Sequence, residues 1–173
     1  MAETPKRLKP LVREPVEPLD ARAARAAALD ALARRDHSTE DLRRKLLEKG
    51  YDAGVVTPLL DVLSAEKLLD DRRYMENFVA YHSARGQGPI RVRMELRRRG
   101  IQGGPVEEYL ANYPEWMVQL RKARQKKFGS VLPANFADRQ KQARFLGYRG
   151  FTSAQIRSAL GFDVDLDLDT EET

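Results

Sequence analysis

The sequence contains no cysteine, two histidines and one tryptophan among its 173 residues. Without cysteine the chain can form no disulfide, thiolate metal site or cysteine nucleophile. No apolar run approaches the roughly 20 residues that a membrane helix needs, and the N-terminus lacks the apolar core of a signal peptide. These absences predict a cytoplasmic protein with no metal, no cofactor and no membrane partner.

Acidic residues are concentrated at the end of the sequence. Residues 163–173, DVDLDLDTEET, contain six acidic groups and no basic one. The chain has 31 basic and 26 acidic residues, so residues 1–162 keep 31 and 20 and carry a net charge of +11. So basic a body indicates nucleic acid or an acidic protein surface as partner, although solubility alone would also explain it. The tail is either idle in solvent or shields the basic body when no partner is present.

The chain repeats with a period of fifty residues. Gly50, Gly100 and Gly150 are each preceded by a basic residue and followed by a large apolar one. Three apolar columns keep the same register: Leu46, Leu96 and Leu146; Val56, Val106 and Ile156; Leu60, Leu110 and Leu160. Six columns in one register predict a tandem repeat.

Each repeat has the apolar spacing of helices. Leu42 and Leu46 are four residues apart, as are Val92 and Leu96, and each pair predicts one helix face. The repeated glycine then ends this helix, because glycine tolerates a positive φ. A second short helix follows it. Helix starts are predicted at these positions: Ser38 with Asp41, Gly88-Pro89, and Asn135 with Asp138.

A further helix precedes each of these pairs. The first is alanine-rich, at about residues 20–35. The apolar stripes of the other two are Tyr74, Phe78 and Tyr81, and Trp116, Leu120 and Ala123. Strand patterns are nearly absent, so the predicted fold class is all-α, with three tandem three-helix repeats. Each unit is too small to bury its stripe alone, which predicts that neighbours stack into an elongated body.

The predicted organisation has five segments. A Pro-rich leader, residues 1–18, and the acidic tail, residues 163–173, are expected to be disordered. The three repeats are expected at residues 19–69, 70–113 and 114–162.

Basic residues cluster on two predicted helices and after them. Arg99, with Lys49 and Arg149 as counterparts, is expected to stabilise a helix end, worth about 0.3–1 kcal/mol. The other clustered cations are predicted to contact a partner or nucleic acid: Arg91, Arg93, Arg97, Arg98, Arg121, Lys122, Arg124, Lys126, Lys127, Arg139, Lys141 and Arg144. The alternative is a solvated face. The aromatics Phe128, Phe145, Tyr148 and Phe151 are expected in the core rather than as base-stacking platforms.

No catalytic motif is found. Asp70 and Asp71 are adjacent, so on a helix they diverge by about 100° and fit a helix start better than a hydrolytic pair. His37 and His82 have no ligand-spaced partner, and RGQGP (85–89) lacks the lysine of a phosphate loop. Enzyme activity is therefore not expected.

Four segments point to a known family: RRDHSTEDLRRKLLEKGY, LLDDRRYMENFV, GQGPIRVRMELRRRGI and KQARFLGYRGF. In this order, within about residues 24 to 162, they resemble the bacterial recombination regulators of the RecX family. The resemblance implies three three-helix repeats in a curved, elongated molecule. It also implies that the protein, expected to be a monomer, lodges in the groove of the RecA filament on single-stranded DNA. There it would inhibit the ATPase, co-protease and strand-exchange activities. Met75 and His82 depart from the family pattern.

Two rival functions remain open at this stage. A helix-turn-helix DNA-binding protein would read bases with the second helix of a pair. Its candidate reading helices, GGPVEEYLANY and TSAQIRSALG, are poor in arginine, lysine, asparagine and glutamine. A helical-repeat adaptor that acts independently of RecA is the other rival.

Overall fold

The structure, a computed structural model, describes residues 18–161. These residues form nine α-helices and no strand, which confirms the all-α prediction. The helices are α1 (Pro18–Arg34), α2 (Thr39–Glu48), α3 (Ala53–Ala65), α4 (Asp71–Ala84), α5 (Pro89–Arg97), α6 (Gly104–Asn112), α7 (Trp116–Phe128), α8 (Phe136–Tyr148) and α9 (Ser153–Leu160). The disorder predicted for the leader and the tail concerns residues outside this range, apart from Pro18, which begins α1.

The helices form three consecutive units of three: the first unit is α1–α3, the second α4–α6 and the third α7–α9. The apolar positions that repeat every fifty residues are buried in all three units. The side chains at these positions are at most 5% exposed: Leu46, Leu96, Leu146, Val56, Val106, Ile156, Leu60, Leu110 and Leu160. The same positions therefore make the core of each unit, as the repeat predicted.

Helix starts agree with the predicted capping residues. The Ser38 hydroxyl accepts a hydrogen bond from the Asp41 backbone N–H at 3.1 Å, and α2 begins there. Asn135 accepts from the Asp138 N–H at 2.8 Å in the same way. Asp70 caps α4 and accepts from the backbone N–H of Arg73, which lowers the pKa of the Asp70 carboxyl. The helix-start interpretation of Asp70 is confirmed.

Two separate clusters of buried side chains hold the chain together. One lies wholly in the first unit and the loop after it, and includes Leu42, Leu63 and Leu69. The other is shared by the second and third units and includes Val79 and Phe151. We expected every unit to need a neighbouring unit to bury its apolar side chains. This was wrong for the first unit, whose buried cluster is its own, because the small alanines of α1 let α3 pack closely against it.

Two of the aromatic residues predicted to lie in the core are exposed at the surface. Tyr81 is 58% exposed, because the buried face of α4 runs through Phe78 and Val79 instead. Tyr148, at the end of α8, is 82% exposed, whereas Phe151 is fully buried. The core predictions for Tyr81 and Tyr148 were therefore wrong.

Candidate functional site

The junction between the first and second units is made by polar side chains. The Ser38 hydroxyl donates a hydrogen bond to the Arg99 carbonyl at 2.7 Å. The Thr39 N–H donates to a carboxylate oxygen of Asp71, also at 2.7 Å. A Cβ on Gly100 would lie 2.6 Å from the Cβ of Glu40, so the turn after α5 rests directly on the start of α2.

The junction between the second and third units uses the same positions, fifty residues further on. The Gly88 N–H donates to the Arg149 carbonyl at 2.7 Å, and the Ile90 N–H donates to the Gly150 carbonyl at 3.0 Å. A Cβ on Gly88 would meet backbone atoms of Gly150 and Phe151 at 2.3 Å. The turn that ends α8 is thus seated on the start of α5, in direct backbone contact.

Arg99 has a structural role at the first junction. Its Nη1 donates to the Glu95 carbonyl at 2.7 Å, in the last turn of α5, and to the Glu95 carboxylate at 2.9 Å. Its guanidinium carbon lies 4.8 Å from the centroid of the Phe78 ring. The hydrogen bond from Arg99 lowers the pKa of Glu95. The helix-end interpretation of Arg99 is therefore confirmed.

The other arginines of α5 are all exposed but differ in their partners. Arg93 forms an ion pair with Glu107 of α6 at 2.8 Å, and Arg98 forms one with Glu95 at 3.1 Å. Arg91 and Arg97 make no ion pair or side-chain hydrogen bond to another described residue. Glu107 was missed as a partner because it lies fourteen residues further along the chain.

Arg124 lies inside the third unit, in contrast to the cations around it. It is 7% exposed, and its guanidinium donates to the Val131 and Ser130 carbonyls, each at 3.1 Å. It also donates to Gln142, at 3.3 Å. Arg124 therefore fixes the loop between α7 and α8, and its donors point away from solvent. Gln142 occupies the repeat position that is Leu42 in the first unit and Val92 in the second. The polar pair of Arg124 and Gln142 therefore replaces an apolar contact in the third unit.

The remaining predicted contact residues lie at the surface of α7 and α8. Arg139, half-buried, donates to the Pro133 and Ala134 carbonyls, each at 3.3 Å. Six others are exposed, and their side chains make no ion pair or hydrogen bond to the described part of the chain: Arg121, Lys122, Lys126, Lys127, Lys141 and Arg144. Lys141, Arg144 and the exposed Tyr148 fall on one side of α8, since three and seven residues bring a helix back to nearly the same direction.

A cleft of about 340 Å³ between the second and third units gathers five cations. Three are the α7 lysines just described, and the other two are Arg85 and Arg149. Arg85 did not stand out in the sequence, and Arg149 was assigned to a helix end. The Arg149 guanidinium donates to the Arg85 and Gly86 carbonyls at 3.1 and 3.3 Å. None of the described residues that line this cationic cleft is acidic.

Charge differs sharply between the units. The first unit, residues 19–69, has nine basic and nine acidic residues; the second, residues 70–113, has eight and six. The third, residues 114–162, has ten and two, a net charge of +8. The positive field is therefore concentrated on the third unit, where an anionic ligand would be attracted most strongly.

The described residues contain neither a cluster of metal-binding side chains nor a helix that could span a membrane. Within residues 18–161 no group of histidine, aspartate and glutamate side chains could hold a metal ion. No helix in the same range is long and apolar enough to cross a membrane. His37 is 3% exposed, and burial followed by the charges of Arg35 and Lys45 lowers the pKa of its imidazole.

The fold and its surface define a helical-repeat protein of three three-helix units, with positive charge concentrated in the third. Three profiles of one family match the chain in order: the first, second and third three-helix domains of RecX, at residues 24–63, 70–110 and 115–160. The chain belongs to the RecX family of regulatory proteins.

Similar proteins carry the same name. "Regulatory protein RecX" of Halorhodospira halophila is 44% identical over 138 residues, 79% of this chain and 86% of that protein. The relative from Pseudomonas fluorescens strain SBW25 is 41% identical over 145 residues, 83% of this chain and 94% of that protein. The crystal structure of RecX from Lactobacillus salivarius superposes with a TM-score of 0.70 at 18% identity, over 82% of this chain and 95% of that one. It shows that the fold is shared.

Proposed function

We propose that this protein binds the RecA nucleoprotein filament on single-stranded DNA and inhibits its ATPase, co-protease and strand-exchange activities. It acts without catalysis of its own, as a cytoplasmic regulator of recombination and DNA repair. Membership of the RecX family supports a regulatory role, because the relatives are named regulatory proteins.

One observation carries the choice of partner: eight exposed cations on α5, α7 and α8 have no acidic partner among the described residues. They are Arg91, Arg97, Arg121, Lys122, Lys126, Lys127, Lys141 and Arg144. A nucleoprotein filament offers DNA phosphates and acidic protein surface along its groove. Guanidinium and ammonium groups bind phosphate, and each contact releases counterions, so binding weakens as salt rises.

The junctions suggest how binding becomes inhibition. Consecutive units are joined at equivalent repeat positions, Ser38 with Arg99 and Gly88 with Arg149, so that the units form a continuous row. A row of this kind contacts successive protomers of a filament simultaneously. Such bridging opposes the relative movement of protomers that ATP hydrolysis and strand exchange need.

Hydrolysis of ATP by RecA on single-stranded DNA, titrated with this protein at about 50 and about 200 mM salt, tests the proposal. Inhibition should be strong at low salt and weaker at the higher concentration. The double reversal R91E/R97E should raise the half-inhibiting concentration about tenfold while helicity stays unchanged. Arg93 and Arg98 are left intact because their ion pairs belong to the fold.

A matched double reversal in the first unit, R22E/K49E, is the control. It changes the net charge equally at exposed cations and should leave inhibition within about twofold of the unaltered protein. Full inhibition by R91E/R97E, or equal loss in the control, would contradict the proposal.

The helix-turn-helix rival is disfavoured by the surfaces of its reading helices. Helix α6 carries Glu107 and Glu108, which repel phosphate, and Glu107 is paired with Arg93. In α9 the side chain of Gln155 accepts a hydrogen bond from the Thr152 N–H at 3.0 Å, and so is used in the capping box. Sequence preference in duplex binding would favour this rival, and binding that ignores salt would favour the adaptor.

A further inference from the structure

The cationic cleft is built by two neighbouring units. The end of α4 contributes Arg85 and Gly86, α7 contributes three lysines, and the end of α8 contributes Phe145 and Arg149. Its position depends on the second junction, because the Arg149 carbonyl also receives the Gly88 N–H. The cleft therefore exists only when the second and third units are docked.

The two arginines of the cleft are held in place by the protein. Arg149 donates to two carbonyls at the end of α4, and its guanidinium carbon lies 4.9 Å from the centroid of the Phe145 ring. Arg85 donates to the Tyr81 hydroxyl at 2.8 Å and lies over that ring. The positive charges of the two arginines are thus fixed at the border of the cleft, and no described residue that lines the cleft carries a carboxylate.

The lysines of the cleft have no partner within the described residues. Lys122 and Lys126 are four positions apart, so they lie on the same side of α7 with a rise of about 6 Å between them. Lys127, the next residue of α7 after Lys126, adds a third positive charge to the cleft. Like charges this close repel one another, and an anionic occupant would relieve the repulsion.

The acidic tail, residues 163–173, has the composition that this cleft requires. Four of its six acids, Asp163, Asp165, Asp167 and Asp169, alternate with other residues. Alternate side chains of an extended chain are about 6.6 Å apart on one side, which is close to the 6 Å rise from Lys122 to Lys126. Spacing and charge are therefore complementary.

The tail is also long enough to reach the cleft. Between Arg149 and Gly161 the chain has a short turn and α9, eight residues long. These segments place Gly161 at most about 30 Å from Arg149. The twelve residues after Gly161 span up to about 40 Å when extended.

We propose that the acidic tail occupies the cationic cleft in the free protein and is displaced when the cleft binds a polyanion. The occupancy rests on the cleft and the tail alone; the regulatory consequence, that the tail sets the affinity for DNA, rests on the proposed function. Single-stranded DNA and the tail then compete for the same lysines.

Energy transfer measures the occupancy directly. The chain has one tryptophan, Trp116, on the same helix as the lysines, and no cysteine. A dansyl group on the single cysteine of a Thr170→Cys variant therefore reports the distance from the tail to α7. Transfer from Trp116 should be high at about 50 mM salt and fall at about 1 M, because salt screens the contact.

The triple variant K122Q/K126Q/K127Q should lower transfer at low salt to the high-salt level. The control R22Q/K49Q/K67Q removes three exposed cations of the first unit and should leave transfer unchanged. Equal transfer at low salt with and without the three α7 lysines would overturn the proposal.

Binding to a fluorescent oligo(dT) strand tests the competition. If the tail occupies the cleft in about nine molecules of ten, removing residues 163–173 should raise the affinity about tenfold at low salt. In the K122Q/K126Q/K127Q background the same truncation should change the affinity less than about twofold. The same gain in both backgrounds would mean that the tail acts only through net charge, and would overturn the inference. Neither assay contains RecA, so a failure of this inference can be distinguished from a failure of the proposed function.

Discussion

The first unit balances nine basic residues with nine acidic ones, whereas the third unit has ten basic residues and two acidic ones. Four of the nine cations of the first unit form ion pairs within it: Arg25 with Glu66, Arg34 with Asp30, Arg43 with Glu40, and Arg44 with Asp41. The α7 lysines of the third unit have no such partners in the described structure. Both units have the same helical plan and are buried at the same repeated positions, so the fold does not require the exposed α7 lysines, and we propose that they serve binding.

The two units also differ in how they join the second. The first is held by side chains, chiefly Ser38 and Asp71, and keeps its own core. The third is held by backbone bonds around Gly88 and shares a core with the second. The comparison indicates that the second and third units behave as one body, to which the first is attached by a smaller, polar contact.

The largest expected effect comes from reversing charge in the third unit. The variant K122E/K126E/K127E should lose inhibition of the RecA ATPase by about tenfold or more, because three phosphate contacts become repulsive. The variant R22E/K49E/K67E makes the same change in net charge within the first unit and should remain within about twofold. Equal losses would remove the functional distinction between the units.

Gly88→Ala should weaken the second junction most. Its Cβ would meet backbone atoms at 2.3 Å, which cannot move like a flexible side chain, so we expect a loss of about 2–3 kcal/mol in unfolding free energy. Gly104→Ala, where a Cβ has nothing within 4 Å, should be neutral or slightly stabilising. Urea unfolding followed by Trp116 fluorescence compares them; a difference below about 0.5 kcal/mol would contradict the described junction.

Ser38→Ala tests the side-chain junction. It removes both the cap of α2 and the bond to the Arg99 carbonyl, so we expect a loss of about 1–3 kcal/mol. Thr152→Ala removes a cap within the third unit, where the capping hydroxyl serves its own helix, and should cost about 0.5–2 kcal/mol. If Ser38→Ala costs no more than Thr152→Ala, the bond across the first junction contributes nothing measurable.

The smallest effect is a pH dependence in the first unit. The pKa of His37 is lowered in the folded protein, first by burial, so the unfolded chain binds more protons below about pH 6.5. The stability contribution of neutral His37 is complete above that pH and is lost as pH falls towards the folded pKa, at no more than about 1.4 kcal/mol per pH unit. The midpoint urea concentrations for unfolding at pH 7.5 and 5.5 should differ less in the His37→Gln variant than in the unaltered protein. If the difference is the same in both proteins, the pH dependence comes from groups other than His37.

Much of the fold was predictable because it repeats. The fifty-residue columns identified the core, and Ser38 and Asn135 marked helix starts through local hydrogen bonds that the sequence encodes directly. The junction between the first and second units was harder to predict from the sequence. The Ser38 hydroxyl bonds to a carbonyl 61 residues away, and this pairing leaves no local sequence pattern.

The surface was predicted less well. Arg124 lies in a cationic run, but its guanidinium faces inward, towards the Ser130 and Val131 carbonyls and Gln142, and no local pattern marks these partners. Arg85 and Arg149 were missed as cleft residues because docking of two units, and not spacing along the chain, brings them together. Tyr148 was expected in the core from its spacing, yet it lies on the exposed side of α8 with Lys141 and Arg144, whereas Leu146 lies on the buried side.

Amide hydrogen exchange of this protein, with and without RecA filaments on single-stranded DNA, tests the central claim most directly. Filaments should slow exchange in peptides from α5, α7 and α8 and leave α1 unchanged, because the contacts are assigned to the positively charged units. Protection confined to the first unit, or no protection at saturating filament, would contradict the account.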